Sequence, residues 1–345
     1  MTRLLTALAI GYLALLQEPN VPRGPRLQGT FLQFRLDQQW DAAKLRGLFL
    51  NFRRIGLSEI VVQWTVAGNR AFYRSTAFEV VPEEPLEPLL QLADESGIRV
   101  RVGLAYDPEF WDKIRLESPL RDVDVYLQSL RKRSQTAARE LLPIVGRHRS
   151  FEGWFLTEEV DDVNWLAPER RALLHSYLGD LRRSVHMLGS PASVAVSGFS
   201  NANCDPSMLE AFWGELLGGT NIDTVYFQDG IGAHKLDFRY LSLYLSAIKR
   251  AVVGRGRALS IVVELFDQVD GPPIGKGAFK AVPTDVDRLA RQLALAAESS
   301  TIGVFAFSVP DYMVPGAGPD AQKLLSDYIQ RFGIQASLPE HLSDR

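Results

Sequence analysis

The chain is poor in the residues that build disulfides and transition-metal sites. Among its 345 residues there is one cysteine, Cys204, which excludes a disulfide within the chain and a zinc site made from several cysteines. The five histidines are scattered, and none forms a His-x-His or His-Glu-x-x-His pair. The sequence therefore predicts neither a catalytic metal nor another cofactor.

An excess of positive charge is also lacking. The formal net charge is -3, so the chain lacks the excess of basic residues that is typical of nucleic-acid-binding proteins, and nucleic acid is not an expected partner. The hydrophobic fraction of 46% and the charged fraction of 23% are typical of an ordinary globular protein. Nothing in the composition indicates an oligomeric state.

Long apolar runs are missing except near the N-terminus, where residues 4–16 are almost continuously apolar after the short basic start at residues 1–3. This run is shorter than the roughly 20 residues of a transmembrane helix and is typical of a signal peptide. We therefore predict a signal segment at residues 1–24 and a folded domain at residues 25–345. An uncleaved membrane anchor is the alternative, and both interpretations predict export to the periplasm or the exterior.

The rest of the chain alternates between predicted strands and predicted helices. The strands are near-continuous apolar runs, as in parallel sheets covered on both faces, at residues 29–34, 59–64, 99–105, 153–159, 193–200, 224–228, 259–266 and 303–308. The helices have apolar residues at helical spacing, at residues 41–56, 86–96, 122–145, 168–188, 207–217, 240–253 and 284–299. Eight such units predict an α/β fold, a (β/α)8 TIM barrel in a single domain. A doubly wound open sheet is the rival, but no Gly-rich turn follows the first strand.

Carboxylates and amides stand at the ends of several predicted strands. Glu158 and Glu159 end the fourth strand, Glu264 lies at the end of the seventh, and Asp229 follows the sixth. In a barrel the carboxyl ends of all strands meet at one face, which carries the active site. Strands that repeatedly end in acids therefore predict a cleft with carboxylate chemistry.

Two carboxyl groups facing each other across the mouth of a barrel are typical of glycoside hydrolases. A separation of about 5 Å suits a retaining enzyme and roughly 6.5–9.5 Å suits an inverting one. Since side chains alternate along a strand, one of Glu158 and Glu159 is expected to point into the mouth. The non-functional alternatives are a solvated loop for this pair and a structural ion pair for Glu264.

Aromatic and amide side chains near strand ends suit sugar binding, because flat rings stack on sugar rings and amides bind hydroxyl groups. For a single aromatic residue, packing in the core remains the simpler interpretation. The predicted substrate-binding residues are Gln63, Trp64, Tyr106, Trp111, Glu158, Trp165, Gln228, Asp229 and His234.

Several strings also resemble a bacterial family of domains of unknown function, number 4434, which is a glycoside-hydrolase-like TIM barrel. They span residues 29–33, 60–64, 153–161, 196–200, 227–233 and 263–266, and the Gln-Asp-Gly-x-Gly-Ala turn is the most specific. The resemblance implies that Glu159 is the acid/base and that Glu264 matches the nucleophile of retaining barrel glycosidases. One departure is Glu158, since many such enzymes have Asn before the acid.

The leading hypothesis is an exported glycoside hydrolase that acts on a polysaccharide or oligosaccharide, with Glu159 and Glu264 as catalytic residues. The alternative is a non-catalytic carbohydrate-binding barrel that serves cell-surface polysaccharide assembly. A metal-dependent barrel hydrolase would need clustered ligands at several strand ends, and the sequence has acids there but no pair of histidines.

Overall fold

A computed structural model describes residues 24–190 and 192–334. The predicted signal or anchor segment, residues 1–24, lies almost entirely outside the described residues. Within the part of the chain that the structure describes, no helix is both long and apolar enough to cross a membrane.

Eight parallel strands close into a barrel, in which each strand pairs with its neighbours along the chain and the first pairs with the last. This confirms the predicted (β/α)8 fold. The strands are β1 (Leu27–Leu32), β2 (Glu59–Val62), β3 (Arg99–Gly103), β4 (Phe151–Val160), β5 (Ser193–Gly198), β6 (Thr224–Gln228), β7 (Ala258–Glu264) and β8 (Val304–Phe307).

Helices form the outer layer, and their apolar faces pack against the outward side chains of the barrel strands. They are α1 (Ala42–Ile55), α2 (Leu86–Ser96), α3 (Leu120–Val145), α4 (Pro168–Met187), α5 (Pro206–Leu217), α6 (Phe238–Val253), α7 (Val286–Ser299) and α8 (Pro319–Arg331). The first seven match the predicted helices within two residues at each end, whereas α8 was not predicted.

Aspartates determine where several helices begin. An aspartate side chain accepts a hydrogen bond from a backbone N–H in the first turn of α1, α5, α6 and α7, namely Asp41, Asp205, Asp237 and Asp285. Such a cap satisfies one of the N–H groups that a helix leaves unpaired at its start. The loops that lead from β5 and β6 therefore end at defined points beside the barrel mouth.

The barrel interior is filled by side chains in layers. At the amino end of the strands, Arg101 forms an ion pair with Glu59 at 2.9 Å, and the Tyr226 hydroxyl donates to the same carboxylate at 2.8 Å. Above them lies a compact apolar layer made of Phe31, Val61, Phe155, Ala195, Tyr226, Val262 and Phe305. The carboxyl ends of the strands stay open above this floor, and the side chains there form the site.

Two small sheets cover part of the mouth and were not predicted. One contains Val66–Ala67, Arg70–Ala71, Glu79–Val80 and Ala105–Tyr106, and the other is a hairpin of Phe266–Asp270 with Lys280–Pro283. The predicted seventh strand runs past Glu264 into this hairpin, because the apolar pattern does not reveal where the chain leaves the barrel. The two sheets supply Tyr106 and Phe266 to the walls of the cleft.

Candidate active site

The end of β4 directs one of the two adjacent glutamates into the barrel mouth. Phe155 lies in the apolar layer of the interior, and Thr157 and Glu159, two and four residues later, line the cleft above it. Side chains alternate along a strand, so Glu158 points the opposite way. As strand alternation predicts, the two glutamates point in opposite directions, and Glu159 is the one that faces the cleft.

Glu158 is buried between the barrel and the helices. Its Oε1 accepts from the Thr157 hydroxyl at 2.8 Å, and its Oε2 has no hydrogen-bond partner among the described residues. The side chain faces Tyr177 of α4 and Arg133 of α3. Burial raises the pKa of Glu158 to about 7, because desolvation penalises the ionised carboxylate. This placement does not support the expectation that Glu158 binds substrate.

Glu159 is held by an amide at the end of a nearby strand. The side-chain NH2 of Gln228, the last residue of β6, donates to Glu159 Oε1. Burial raises the pKa of Glu159, while the charge of Lys235 and the bond from Gln228 partly oppose that rise. A carboxyl group with a raised pKa can carry a proton at a pH at which an exposed glutamate has lost its own.

Glu264, the last residue of β7, is the second carboxyl group of the cleft and is 1% exposed. Its Oε2 accepts from the backbone N–H of Ala233 at 2.7 Å. Burial raises the pKa of Glu264, and Lys235 and the Ala233 N–H act in the opposite direction. A backbone donor cannot rotate away, so the carboxylate is held in one orientation beneath the cleft.

Asp229 lies behind Glu264 and does not line the cleft, although the sequence predicted that it binds substrate. It is fully buried, and its Oδ2 accepts from the Gln292 side chain at 2.7 Å. Burial, together with the nearby Glu264, raises the pKa of Asp229 to about 8. The two carboxyl groups therefore titrate together, and a proton held on Asp229 favours ionisation of Glu264.

Lys235 is the cation that lines the cleft, and it was not among the residues predicted for the site. Its ammonium lies over the ring of Phe199, 3.1 Å from the ring centroid, and its side chain lines the cleft with both Glu159 and Glu264. Burial lowers the pKa of Lys235 and both glutamates oppose that effect. The only signal in the sequence is position, because Lys235 comes two residues after the Gln-Asp-Gly-x-Gly-Ala turn.

Amides and aromatic rings form the opposite wall of the cleft. Gln33, at the end of β1, donates from its side chain to the Gln63 side-chain oxygen at 2.8 Å. Trp64 stacks on Tyr106 with ring centroids 4.4 Å apart, and its indole N–H donates to the Phe34 carbonyl at 2.7 Å. The stacked pair is thereby fixed in place, with the Tyr106 ring partly exposed to the cleft.

The cleft has a volume of about 270 Å³ and is lined by most of the predicted site residues. The predicted residues that line it are Gln63, Trp64, Tyr106, Trp111, Glu159, Gln228 and Glu264. The lining residues not predicted as site residues are Gln33, Phe110, Thr157, Ala233, Lys235, Phe266, Gln268, Pro272, Phe279 and Phe307. Most of these come from the unpredicted hairpin and from loops, where apolar periodicity carries no information.

Two further predicted residues lie away from the cleft. Trp165 is completely buried, and the guanidinium of Arg170 lies 5.7 Å from its ring centroid, so packing accounts for this tryptophan. His234 lies on the rim, where its Nε2 is 3.1 Å from the carboxylate of Asp267 and 3.1 Å from the Gln268 carbonyl. These contacts hold the histidine against the hairpin that follows β7.

The described residues contain no group of three or more His, Cys, Asp or Glu side chains arranged to hold a metal ion. Two carboxyl groups, one ammonium and a set of amides and aromatic rings can transfer protons, form an ester and bind hydroxyl groups.

Gly232 determines how closely the turn after β6 approaches Glu264. A Cβ at this position would lie 2.2 Å from the Phe266 carbonyl oxygen and 2.9 Å from the Glu264 Cβ. We expect Gly232→Ala to lower the free energy of unfolding by about 1–3 kcal/mol, the usual cost of overpacking. Urea unfolding measures this loss.

Gly214→Ala is the matched control for that substitution. Gly214 lies within α5, and a Cβ there would meet nothing within 4 Å. Because alanine favours helix by up to about 1 kcal/mol over glycine, the control should unfold at equal or higher urea concentration. Equal stability of the Gly232→Ala variant and the unmodified protein would contradict the close approach.

Solved structures with the same barrel are similar to this chain over most of its length. A protein of Bacteroides thetaiotaomicron VPI-5482 assigned as an alpha-L-fucosidase matches with a TM-score of 0.73 at 17% identity, over 91% of this chain and 97% of that one. A beta-galactosidase from Marinomonas ef1 matches with a TM-score of 0.54 at 12% identity, over 91% of this chain and 62% of that one. At these identities the similarity shows the shared fold.

Sequence comparisons point to one family. The Escherichia coli K12 protein named "Uncharacterized protein YbcH" is 29% identical over 267 residues, which are 75% of this chain and 79% of that protein. The model of the domain of unknown function DUF4434 matches residues 27–322, from the first residue of β1 into α8. This match spans the whole barrel and includes every residue of the cleft, so the chain belongs to the DUF4434 family.

Proposed function

We propose that the protein is a retaining glycoside hydrolase in which Glu159 is the acid/base and Glu264 is the nucleophile. The observation that carries the proposal is that two carboxyl groups from β4 and β7 line one cleft, each with its own hydrogen-bond donor. The similarity in fold to proteins named as glycosidases supports the same class of reaction.

The proposed reaction has two steps. In the first, the Glu264 carboxylate forms a bond to the anomeric carbon while Glu159 donates its proton to the departing glycosidic oxygen, which leaves as an alcohol. In the second, Glu159 removes a proton from water, the water oxygen attacks the anomeric carbon, and the bond to Glu264 breaks. Both carboxyl groups then have their starting protonation.

The surroundings of each carboxyl group suit its role. Burial raises the pKa of Glu159, which favours the protonated acid needed for the first step. The Ala233 N–H and the Lys235 ammonium stabilise Glu264 as a carboxylate. We propose that Asp229 behind it holds a proton in the active form, which removes a negative charge from beside the nucleophile.

The walls of the cleft suit a sugar ring. The exposed part of Tyr106 and the ring of Trp111 offer flat apolar surfaces, and both residues line the cleft. The amides of Gln33, Gln63 and Gln228 offer donors and acceptors to hydroxyl groups. We propose that this arrangement holds one sugar unit above the two carboxyl groups, in a protein exported through its N-terminal segment.

The test follows the anomeric configuration of the first product by proton NMR during hydrolysis of a panel of oligosaccharides. We expect hydrolysis of at least one glycan, with initial release of the same anomer as the substrate. Initial release of the opposite anomer would overturn the retaining mechanism, and absence of hydrolysis across the panel would overturn the proposed activity.

A second candidate is a carbohydrate-binding barrel without turnover, and the enclosure of Glu264 favours it. At 1% exposure this carboxyl group offers little surface to an incoming substrate. Such a protein would bind glycans through Trp111 and the stacked pair Trp64–Tyr106 and release no product. Calorimetric titration alongside the hydrolysis assay separates binding with turnover from binding alone.

Lys235→Met is expected to move the pH profile of kcat/KM to higher pH. The ammonium lowers the pKa of both Glu159 and Glu264, so its removal raises both. The acidic limb, which reports ionisation of Glu264, and the alkaline limb, which reports deprotonation of Glu159, should both shift upward. The measurement is kcat/KM against pH for both proteins.

Lys235→Arg is the control, because it keeps the positive charge at the same position. Its pH profile should stay close to that of the unmodified protein, even if its rate falls. Identical profiles for the Met and Arg variants would contradict an electrostatic role for Lys235.

A further inference from the structure

A second cavity adjoins the cleft on the side of α6. It has a volume of about 680 Å³ and lies between the loop after β5 and the first turns of α6. We name it the Tyr240 groove and define it by Asn203, Asp205, His234, Lys235, Tyr240 and Leu243, which line it. None of these residues except Lys235 belongs to the catalytic cleft.

Lys235 connects the two cavities. Its side chain lines both the cleft and the Tyr240 groove, with its ammonium resting on the ring of Phe199. A chain-like ligand that leaves the cleft past this side chain therefore enters the groove directly. The shared side chain places the two cavities next to each other.

The groove exposes apolar side chains beside polar groups. On α6, Tyr240 is 51% exposed and Leu243, one turn later on the same side of the helix, is 56% exposed. Asn203 and His234 lie along the groove and provide hydrogen-bonding side chains. An exposed ring next to amide and imidazole groups matches the alternating apolar faces and hydroxyl edges of a sugar chain.

The charges on the groove favour an uncharged glycan. Asp205 and Asp237 line it as the caps of α5 and α6. Asp205 has no ion-pair partner among the described residues, whereas Asp237 is paired with Arg239 at 3.0 Å and His234 is paired with Asp267. The unpaired Asp205 carboxylate would repel a glycan that carries acidic groups, because like charges at short range are unfavourable. The Lys235 ammonium interacts with Glu159 and Glu264 of the cleft.

We propose that the Tyr240 groove binds the sugar units of a neutral glycan that extend beyond the cleft past Lys235. This inference rests on the proposed function only in placing one sugar unit in the cleft. It identifies the substrate class as an uncharged oligosaccharide or polysaccharide of several units, held partly by stacking on Tyr240. It also predicts that catalytic efficiency rises with chain length.

The test compares Tyr240→Ala with the unmodified protein on cello-, xylo-, laminari- and malto-oligosaccharides of two to six units and on trigalacturonate. For the neutral glycan that is cleaved, we expect kcat/KM to rise with chain length in the unmodified protein. Tyr240→Ala should lower kcat/KM for the longest members by roughly 2- to 10-fold, which corresponds to the free energy of one aromatic contact. Its kcat/KM for aryl monoglycosides should be unchanged. Trigalacturonate should be neither cleaved nor bound.

Val253→Ser is the matched control, because Val253 is 44% exposed at the other end of α6 and does not line the groove. It should behave as the unmodified protein does. An unchanged chain-length profile in Tyr240→Ala, or a preference for trigalacturonate, would overturn the groove proposal while leaving the proposed activity in place.

Calorimetric binding to the same panel separates the two proposals when no glycan is hydrolysed. Weaker binding of long neutral glycans to Tyr240→Ala would then support the groove and overturn only the hydrolase. Equal binding by both proteins would overturn the groove, and absence of binding to every glycan would overturn both. A change in oligomeric mass of Tyr240→Ala, with glycan binding unchanged, would identify the groove as a protein contact and overturn the proposal.

Discussion

Glu159→Gln is expected to lower kcat/KM for the cleaved oligosaccharide by roughly 10²–10⁴-fold, the usual contribution of a general acid. Glutamine keeps the size of the side chain but has no proton to give to the departing oxygen. The loss should shrink for aryl glycosides with acidic phenol leaving groups, because these depart without protonation. Rates on both kinds of substrate provide the measurement.

Glu158→Gln is the matched control, because the same change is made one residue earlier in β4. Glu158 faces Tyr177 rather than the cleft, so the kcat/KM of the Glu158→Gln variant should stay within a few-fold of that of the unmodified protein. An equal loss in the two variants would contradict the assignment of Glu159 as the residue that faces the substrate.

Glu264→Ala should abolish hydrolysis of both kinds of substrate, since the nucleophile is needed whatever the leaving group. Azide can enter the space left by the missing carboxylate and attack the anomeric carbon of an activated substrate directly. The product is then a glycosyl azide of the opposite anomer, visible by NMR. A glycosyl azide of unchanged anomer would instead mean that Glu264 is not the nucleophile.

Arg101→Met is expected to lower the free energy of unfolding by about 1–3 kcal/mol, because the buried Glu59 carboxylate loses one of its two ion-pair partners. The Glu59 side chain is 5% exposed and accepts from Arg101 at 2.9 Å and from the Tyr226 hydroxyl at 2.8 Å. Without Arg101 its nearest cation is Arg99, which is 46% exposed and 3.1 Å away. The pair lies at the floor of the barrel, so stability rather than catalysis should respond.

Urea unfolding of single and double variants measures this effect. Adding Glu59→Gln to Arg101→Met removes the carboxylate that has lost one of its ion-pair partners, so the double variant should lose less stability than the sum of the two single losses. Arg115→Met serves as the control, because Arg115 and its partner Asp112 are 65% and 68% exposed. It should change stability by no more than about 0.5 kcal/mol. If the losses in free energy of unfolding from Arg101→Met and Glu59→Gln simply add in the double variant, the two side chains do not stabilise each other.

Local apolar patterns were sufficient to predict the main elements of the barrel. Strand β6 and helix α2 have the predicted boundaries, residues 224–228 and 86–96, because both are short apolar runs with clear ends. The same patterns failed beyond Glu264, where the apolar run continues into a hairpin outside the barrel. Whether such a run stays in the barrel depends on pairing with a distant segment, Lys280–Pro283.

For the site, sequence position predicted which strands carry the acids but not the surroundings of each acid. Glu159 and Glu264 were predicted at strand ends, and strand alternation required that one of Glu158 and Glu159 face inward. Asp229 was expected in the cleft for the same reason. Its actual place behind Glu264 depends on Gln292, which is 63 residues away in the chain and holds its carboxyl group from α7.

Local sequence was enough to predict the repeating strand–helix order and the acids at the strand ends, because both follow from short-range periodicity and the two-residue alternation of strands. Which of those acids are desolvated, and which side chains lie beside each of them, depends on contacts between segments that are far apart in the chain. Lys235, Trp165 and Asp229 illustrate the difference, since the exposure of all three and the pKa of Lys235 and Asp229 depend on side chains brought together by closure of the barrel. Solvation and electrostatic interaction depend on distances between groups in the folded protein, and the separation of two residues along the chain does not give those distances.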